Sequence, residues 1–147
     1  MRLRLDEPRA ANWPTGVVLA PFRPADAPEA LRVLIDAYHD GYAGAFEGGD
    51  DWYARVSRDD EWDPALVLLA RDVETQRIVG VCHGWTSAFL KDVCVARVAR
   101  GQGLGEALVL SLAESYRQRG FSAMDLKVLP GNAPARGLYA KMGFQEA

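Results

Sequence analysis

Short β-branched runs alternate with stretches whose apolar residues recur every three or four positions, the mark of a mixed strand and helix domain. "GVVLAPF", Gly16 to Phe22, predicts a first strand ended by proline. In "ADAPEALRVLIDAYHD", Asp26 with Glu29 has the spacing of a capping box, and Leu31, Leu34, Ile35 and Tyr38 mark one helical face. A glycine-rich loop then leads to a short helix around Trp52 to Ser57. "ALVLLARD", "RIVGVCHGW" and "AFLKDVCV" follow as three strands of an antiparallel meander, the first two joined by "VETQ". Leu104 to Arg119 is a helix, with Leu104, Leu108, Leu112 and Tyr116 aligned; Arg117 and Arg119 suit its C-terminal end, and Gly120 stops it. "SAMDLKVL" predicts a strand, "APARGLYAKM" a helix, and "GFQEA" a barely started last strand. The order β-α-α-β-β-β-α-β-α, without internal repeat, predicts an α/β (α+β) fold with helices flanking a mixed, largely antiparallel sheet.

The chain has 147 residues, enough for one domain with a sizeable core. We place that domain at residues 16–147 and read residues 1–15 as a partly ordered lead-in. Apolar residues are 49% and charged residues 25%, ordinary for a soluble globular protein. A net charge of −3 gives no reason to expect a nucleic-acid partner. Arg2 and Arg4 precede no apolar h-region, and no run approaches the ~18 apolar residues of a membrane span, so a cytoplasmic domain without a membrane partner is expected. Cys82 and Cys94 fall in strand-like runs and read as free thiols; no cysteine and histidine cluster suggests a metal.

The chemistry concentrates in "VARVARGQGLGEALVL". A strand, a glycine turn and a helix start bring uncapped amides together on an anion, and the helix macrodipole adds partial positive charge. Gly101, Gly103 and Gly105 permit close approach to the main chain, and Arg100 brings a full charge. Read on glycines alone, the turn serves backbone geometry equally well. A Walker A loop needs Gly-Lys-Ser/Thr, which the chain lacks. A dinucleotide fingerprint needs a third glycine where Glu106 or Leu108 stands.

Arg100, Gly103 and Gly105 do fit Arg-x-x-Gly-x-Gly directly after a strand ending in Val95. Downstream, Asn132, Ala135, Leu138, Tyr139, Gly143 and Phe144 have the spacing NxxAxxLYxxxGF. In this order the two motifs resemble the GNAT superfamily of N-acetyltransferases, with a motif-level match from Val93 to Phe144. The resemblance implies acetyl-CoA as co-substrate, no metal, and acetyl transfer to a primary amine of a small molecule or peptide by direct attack in a ternary complex. It implies donor binding by the main chain near Val93 and Val95, by the turn Arg100, Gly101, Gln102, Gly103, Leu104, Gly105 and Glu106, and by Asn132. Asn132 also reads as a plain N-cap. Tyr139 takes the place of the family's general acid, since a phenol near pKa ~10 stays protonated and can donate to a thiolate; the other reading is a core tyrosine beside Leu138. Asp92 reads either as a carboxylate base working through water or as a strand residue paired with Lys91. Cys94 reads as packing. His83 and His39 have suitable intrinsic pKa values near ~6.5 but read more simply as structural.

The acceptor side, by the same resemblance, is shaped by Tyr38, His39, Asp40, Tyr42, Phe46, Glu47, Asp50, Asp51 and Trp52. Carboxylates among aromatics would suit a cationic amine, and a solvated acidic loop explains them as well. "WPTGVVLAPFRPADA" and "MDLKVLPGNAPARGLYAKMGF" resemble mycothiol-synthase-type acetyltransferases, which points to a thiol-precursor amine. The chain departs from the family pattern after Gly143-Phe144, where a complete strand is replaced by "QEA". With the last strand truncated, the Ala123 to Val128 strand is expected to keep unpaired backbone, covered by a homodimer or a partner strand. Two other functions compete: a non-catalytic CoA-binding module, such as a sensor or complex subunit, and a nucleotide-binding regulator. Tyr139 argues against the first.

Overall fold

The computed structural model describes residues 1–39 and 51–147. Six strands form one sheet in the order β1-β6-β5-β4-β3-β2. They are β1 (Arg2–Arg4), β2 (Val17–Pro21), β3 (Val67–Asp72), β4 (Ile78–Trp85), β5 (Phe89–Val95) and β6 (Ala123–Leu126). The helices are α1 (Ala27–His39), α2 (Trp52–Val56), α3 (Leu104–Gln118) and α4 (Ala133–Met142). All strand pairs are antiparallel except β5 with β6, the pair bridged by the α3 crossover. Among the described residues, no helix is long and apolar enough to cross a membrane.

Two apolar layers enclose the sheet. On one face Leu104, Leu108, Leu112 and Tyr116 of α3 are all buried, as their spacing predicts. Gly84 of β4 lies directly beneath: a Cβ there would run into the Tyr116 hydroxyl and the Leu112 side chain. The other face carries α1 and α2. Here the buried stripe of α1 is Ala30, Val33, Leu34 and Ala37, while Leu31, Ile35 and Tyr38 are only half-buried. Small alanines facing the sheet let α1 sit close, so the apolar periodicity is rotated from the expected face. Glu29 does not complete a capping box either. It accepts the Ile78 amide at 2.9 Å and ties α1 to the start of β4.

The site is opened by an irregularity in β5. The register runs Cys82↔Val93 and His83↔Asp92, then jumps to Gly84↔Leu90, leaving Lys91 as an extra residue. A bulge of this kind bends its strand and breaks the ladder locally. β5 pairs with β6 only at Phe89↔Asp125 and Leu90↔Leu126; beyond the bulge the two strands part. β6 accordingly ends at Leu126, three residues short of the apolar run that predicts it.

The expectation of unpaired backbone on β6 is overturned. β1 pairs along it, with Arg2↔Asp125, Leu3↔Met124 and Arg4↔Ala123 in register. Arg2 also holds the Asp125 carboxylate with two bonds of 2.7 and 2.9 Å. On the other side of β1, Gln145 exchanges main-chain bonds of 2.7 and 2.8 Å with Arg2. The stretch expected to be a lead-in thus supplies a strand of the sheet, and the reason for expecting a second chain there disappears. A three-residue strand with one buried leucine has no periodicity to read.

Leu3 is fully buried against the layer that holds Met124, Met142 and Phe144. Leu3→Ala is therefore expected to lower the unfolding free energy by about 2–5 kcal/mol, within the range for buried leucine truncations. Urea denaturation checks this, and a change near zero would mean that β1 is not part of the cooperative fold.

Candidate active site

The gap between β5 and β6 widens into a cleft of about 350 Å³, lined by Val93 and Val95 of β5, Gly105 and Val109 of α3, and Asn132, Ala135 and Tyr139 of α4 with its cap. The Ala96 amide donates to the Val79 carbonyl at 2.8 Å, toward β4. By the alternation of an antiparallel ladder, the main-chain groups of Val93 and Val95 point the other way, into the gap.

The glycine turn stands at one end of the cleft. Gly101 and Gly103 both adopt φ near +80°, a left-handed conformation that side chains rarely take. Nothing lies within 4 Å of a Cβ built at either, so protein packing does not demand glycine at these two positions. Gly103 is the N-cap of α3 and has no side chain with which to cap it. The first helical bond runs from the Ala107 amide to the Gly103 carbonyl at 3.0 Å. The amides of Leu104, Gly105 and Glu106 therefore have no partner within the helix. Buried Leu104 anchors this end, while Gln102 and Glu106 are exposed. Arg100 folds back, its Nε donating to the Val95 carbonyl at 3.0 Å, so the guanidinium joins the turn to the strand end.

Asn132 does cap α4, its Oδ1 accepting the Ala135 amide at 3.3 Å, and it lines the cleft as well. Tyr139 is half-buried and lines the cleft, with its ring edge-on to Phe144 at a centroid distance of 5.4 Å. Leu138 beside it is 45% exposed, so the pair is not a core contact.

Asp92 is buried, 6% exposed, on the α1 face of β5. Its Oδ1 accepts the Tyr38 hydroxyl and its Oδ2 accepts the Lys91 ammonium at 2.7 Å. Burial and the Asp92 charge push the Tyr38 phenol well above its ordinary range, and a charge on Tyr139 would push it further. Tyr38, Asp92 and Tyr139 thus share one electrostatic neighbourhood, although they come from distant parts of the chain. His83 is Asp92's register partner and is fully buried, between Trp62 at 5.3 Å and Trp85 at 4.5 Å. Among the described residues neither of its nitrogens has a hydrogen-bond partner, and burial, helped by Lys91, lowers its pKa to about 4. The imidazole is neutral at pH 7. Burial pushes the Cys94 thiol up to about 12, which leaves it unreactive packing.

These contacts are consistent with one family, and a family comparison decides the matter. The model described as the Acetyltransferase (GNAT) family matches residues 28–144. The chain belongs to the GNAT family. It is 35% identical over 142 residues to a mycothiol acetyltransferase of Clavibacter michiganensis subsp. michiganensis, covering 91% of this chain and 44% of that relative. A streptothricin acetyltransferase of Streptomyces lavendulae is 29% identical over 123 residues, covering 82% of this chain and 59% of that protein. Among solved structures, a GCN5-related N-acetyltransferase from Sphaerobacter thermophilus superposes with a TM-score of 0.80 at 29% identity, over 98% of this chain and 46% of that one. The GNAT chain spans about half the length of these relatives.

Not every expected residue of this GNAT site converges. His39 is exposed and lines a separate groove along α1 with Arg32, Asp36 and Arg97. Asp51 is exposed and paired with Arg55 at 3.4 Å, and Trp52 is buried in the core. Asp40, Tyr42, Phe46, Glu47 and Asp50 lie outside the described residues. Sequence reasoning placed Tyr38 among acceptor contacts but missed its bond to Asp92. It also missed the Trp62 and Trp85 walls around His83, because nothing local links residues on α1, β4 and β5.

The depressed His83 pKa has a thermodynamic consequence. Below about pH 6.5 the unfolded chain binds a proton here that the folded chain refuses until about pH 4. Stability is complete above that window and falls as pH drops through it, by about 3 kcal/mol. His83→Phe should flatten this acid limb in urea unfolding measured from pH 7 to 4; an unchanged limb would assign the titration to other groups.

Proposed function

We propose that this chain transfers an acetyl group from acetyl-CoA to a primary amine. The observation that carries the reading is the β5 and β6 cleft, with uncapped amides at its mouth and Tyr139 on its wall, while Asp92 bonds Tyr38 behind it on the α1 face of β5. The match between donor and site is chemical. A pyrophosphate suits the amides of the Gly101 to Glu106 turn and the α3 macrodipole, and a linear amide-bearing arm suits the main chain of Val93 and Val95. Acetyl-CoA, when bound, supplies the activated acyl group as a thioester. Arg100 braces the turn through Val95, and Asn132 lines the path with its cap intact.

For the chemistry, the amine must lose a proton and the departing sulfur must gain one. Tyr139 holds the proton for the sulfur. Asp92 receives the amine's proton through the Tyr38 hydroxyl, which already donates to it, while Lys91 holds the second oxygen. The new C–N bond replaces the C–S bond, and no covalent enzyme step is needed; neutral, buried Cys94 offers none.

On the acceptor side, half-buried Tyr38, Trp62 and Trp85 near Asp92 favour a cationic amine. The relatives named mycothiol acetyltransferases make a thiol-precursor amine the first acceptor to try. Calorimetry with acetyl-CoA, CoA and ATP, followed by an amine panel with thiol release as the signal, tests the proposal. Binding of acetyl-CoA over ATP together with turnover supports it, and preference for ATP would contradict it.

Two variants separate binding from chemistry. Gly103→Val puts a β-branched residue at φ near +80° and fills open space before the α3 amides, so acetyl-CoA affinity should fall by more than about tenfold with the fold retained. Parental affinity in a folded variant would remove the turn from the site. Tyr139→Phe should leave donor affinity nearly unchanged and lower kcat by about 10²–10⁴-fold. An unchanged kcat, with chemistry rate-limiting, would return Tyr139 to a packing role.

A further inference from the structure

We infer that the N-terminal segment, through Arg2, Leu3 and Arg9, positions Tyr139 for proton transfer, an inference that rests on the acetyl-transfer reading above. α4 packs on the core through buried Met142 and half-buried Tyr139, with the rest of the helix more exposed. Its C-terminal cap constrains it next to Tyr139. Gly143, at φ +104°, sends its amide to the Ala140 carbonyl at 3.0 Å, and the Phe144 amide returns to the Tyr139 carbonyl at 2.9 Å. In this arrangement the residue after the glycine lands on the residue five before it, and here that contact is Phe144 on the Tyr139 ring. Whatever holds residues 142–145 therefore sets the position of Phe144 and, through it, acts on the Tyr139 ring.

Those residues are held by the other end of the chain. Gln145 is tied on both its amide and its carbonyl to Arg2. Phe144 is 2% exposed and shares its core layer with fully buried Leu3. The Arg9 guanidinium donates to the Met142 carbonyl, a last-turn acceptor with no partner inside the helix. It also crowds Gly143, where a Cβ would meet two of its nitrogens at 2.9 Å. A cation at this place further suits the negative end of α4. Arg9 does not itself line the cleft and reaches it through the Met142 carbonyl at the end of α4, so it is a positioning residue.

The full chain carrying Arg9→Ala, Arg9→Lys and Tyr139→Phe, singly and with each Arg9 variant in the Tyr139→Phe background, tests this. Arg9→Ala should lower kcat about tenfold, as small misplacements of a reacting group do, with KM for acetyl-CoA unchanged. Arg9→Lys, keeping a cationic donor, should restore most of the loss. In the Tyr139→Phe background Arg9→Ala should cost nothing further, since its effect passes through the missing hydroxyl. Equal losses in both backgrounds, a loss confined to KM, or no loss would overturn the inference. Amide exchange gives a readout independent of turnover: Arg9→Ala should lose protection at Gly143 and Phe144 while Met124 keeps its own. Unchanged protection at Gly143 and Phe144 would overturn the clamp. Absence of turnover in the parent with every amine would instead refute the acetyl-transfer reading, and exchange alone would then decide whether the segment holds α4.

Discussion

One extra residue in β5 governs the geometry of the whole site. With Lys91 bulged, β5 leaves β6 after Leu90. The parting opens a cleft through the middle of the sheet rather than at its edge, and it turns the polar main chain of Val93 and Val95 into that cleft. It also brings the glycine turn, which follows β5 immediately, to the mouth of the opening. The same bulge leaves Asp92 facing α1, where Tyr38 reaches it, while Val93 faces the α3 layer. A β5 in regular register beside β6 would pair those main-chain groups and close the space.

The two faces of β5 have opposite chemical character. At the α3 end, uncapped amides and a helix dipole favour negative charge without any buried ionised side chain. Behind β5, on the α1 face, the buried carboxylate of Asp92 is satisfied by a phenol and an ammonium, which removes the cost of an isolated buried charge. His83 remains unsatisfied beside it, a local cost that falls on the neutral ring. Between the turn and Tyr139, small and apolar side chains leave a path of low polarity.

Local motifs were legible in the sequence because their causes are local. The α3 stripe, the Asn132 cap and the Gly120 stop each follow from a few adjacent residues. The strand order of the meander followed from short turns. Long-range contacts were not legible. β1 is three residues long and gains its meaning only from Met124 and Gln145, more than a hundred positions away. The bulge at Lys91 was not legible because it is a shift of register against β4, which nothing within "FLKDVCV" encodes. The α1 face was misjudged because alanines, weak as sequence signals, are the residues that fit closest to the sheet.

The central claim is that the β5 and β6 cleft binds the donor along its main chain. Amide proton and nitrogen shifts recorded during titration with acetyl-CoA test it most directly. The account predicts large, saturable shifts at Val93, Val95, Leu104, Gly105 and Glu106, and none of comparable size with ATP. Shifts confined to the α1 and β2 face, or a β5 that does not respond while acetyl-CoA binds, would contradict it.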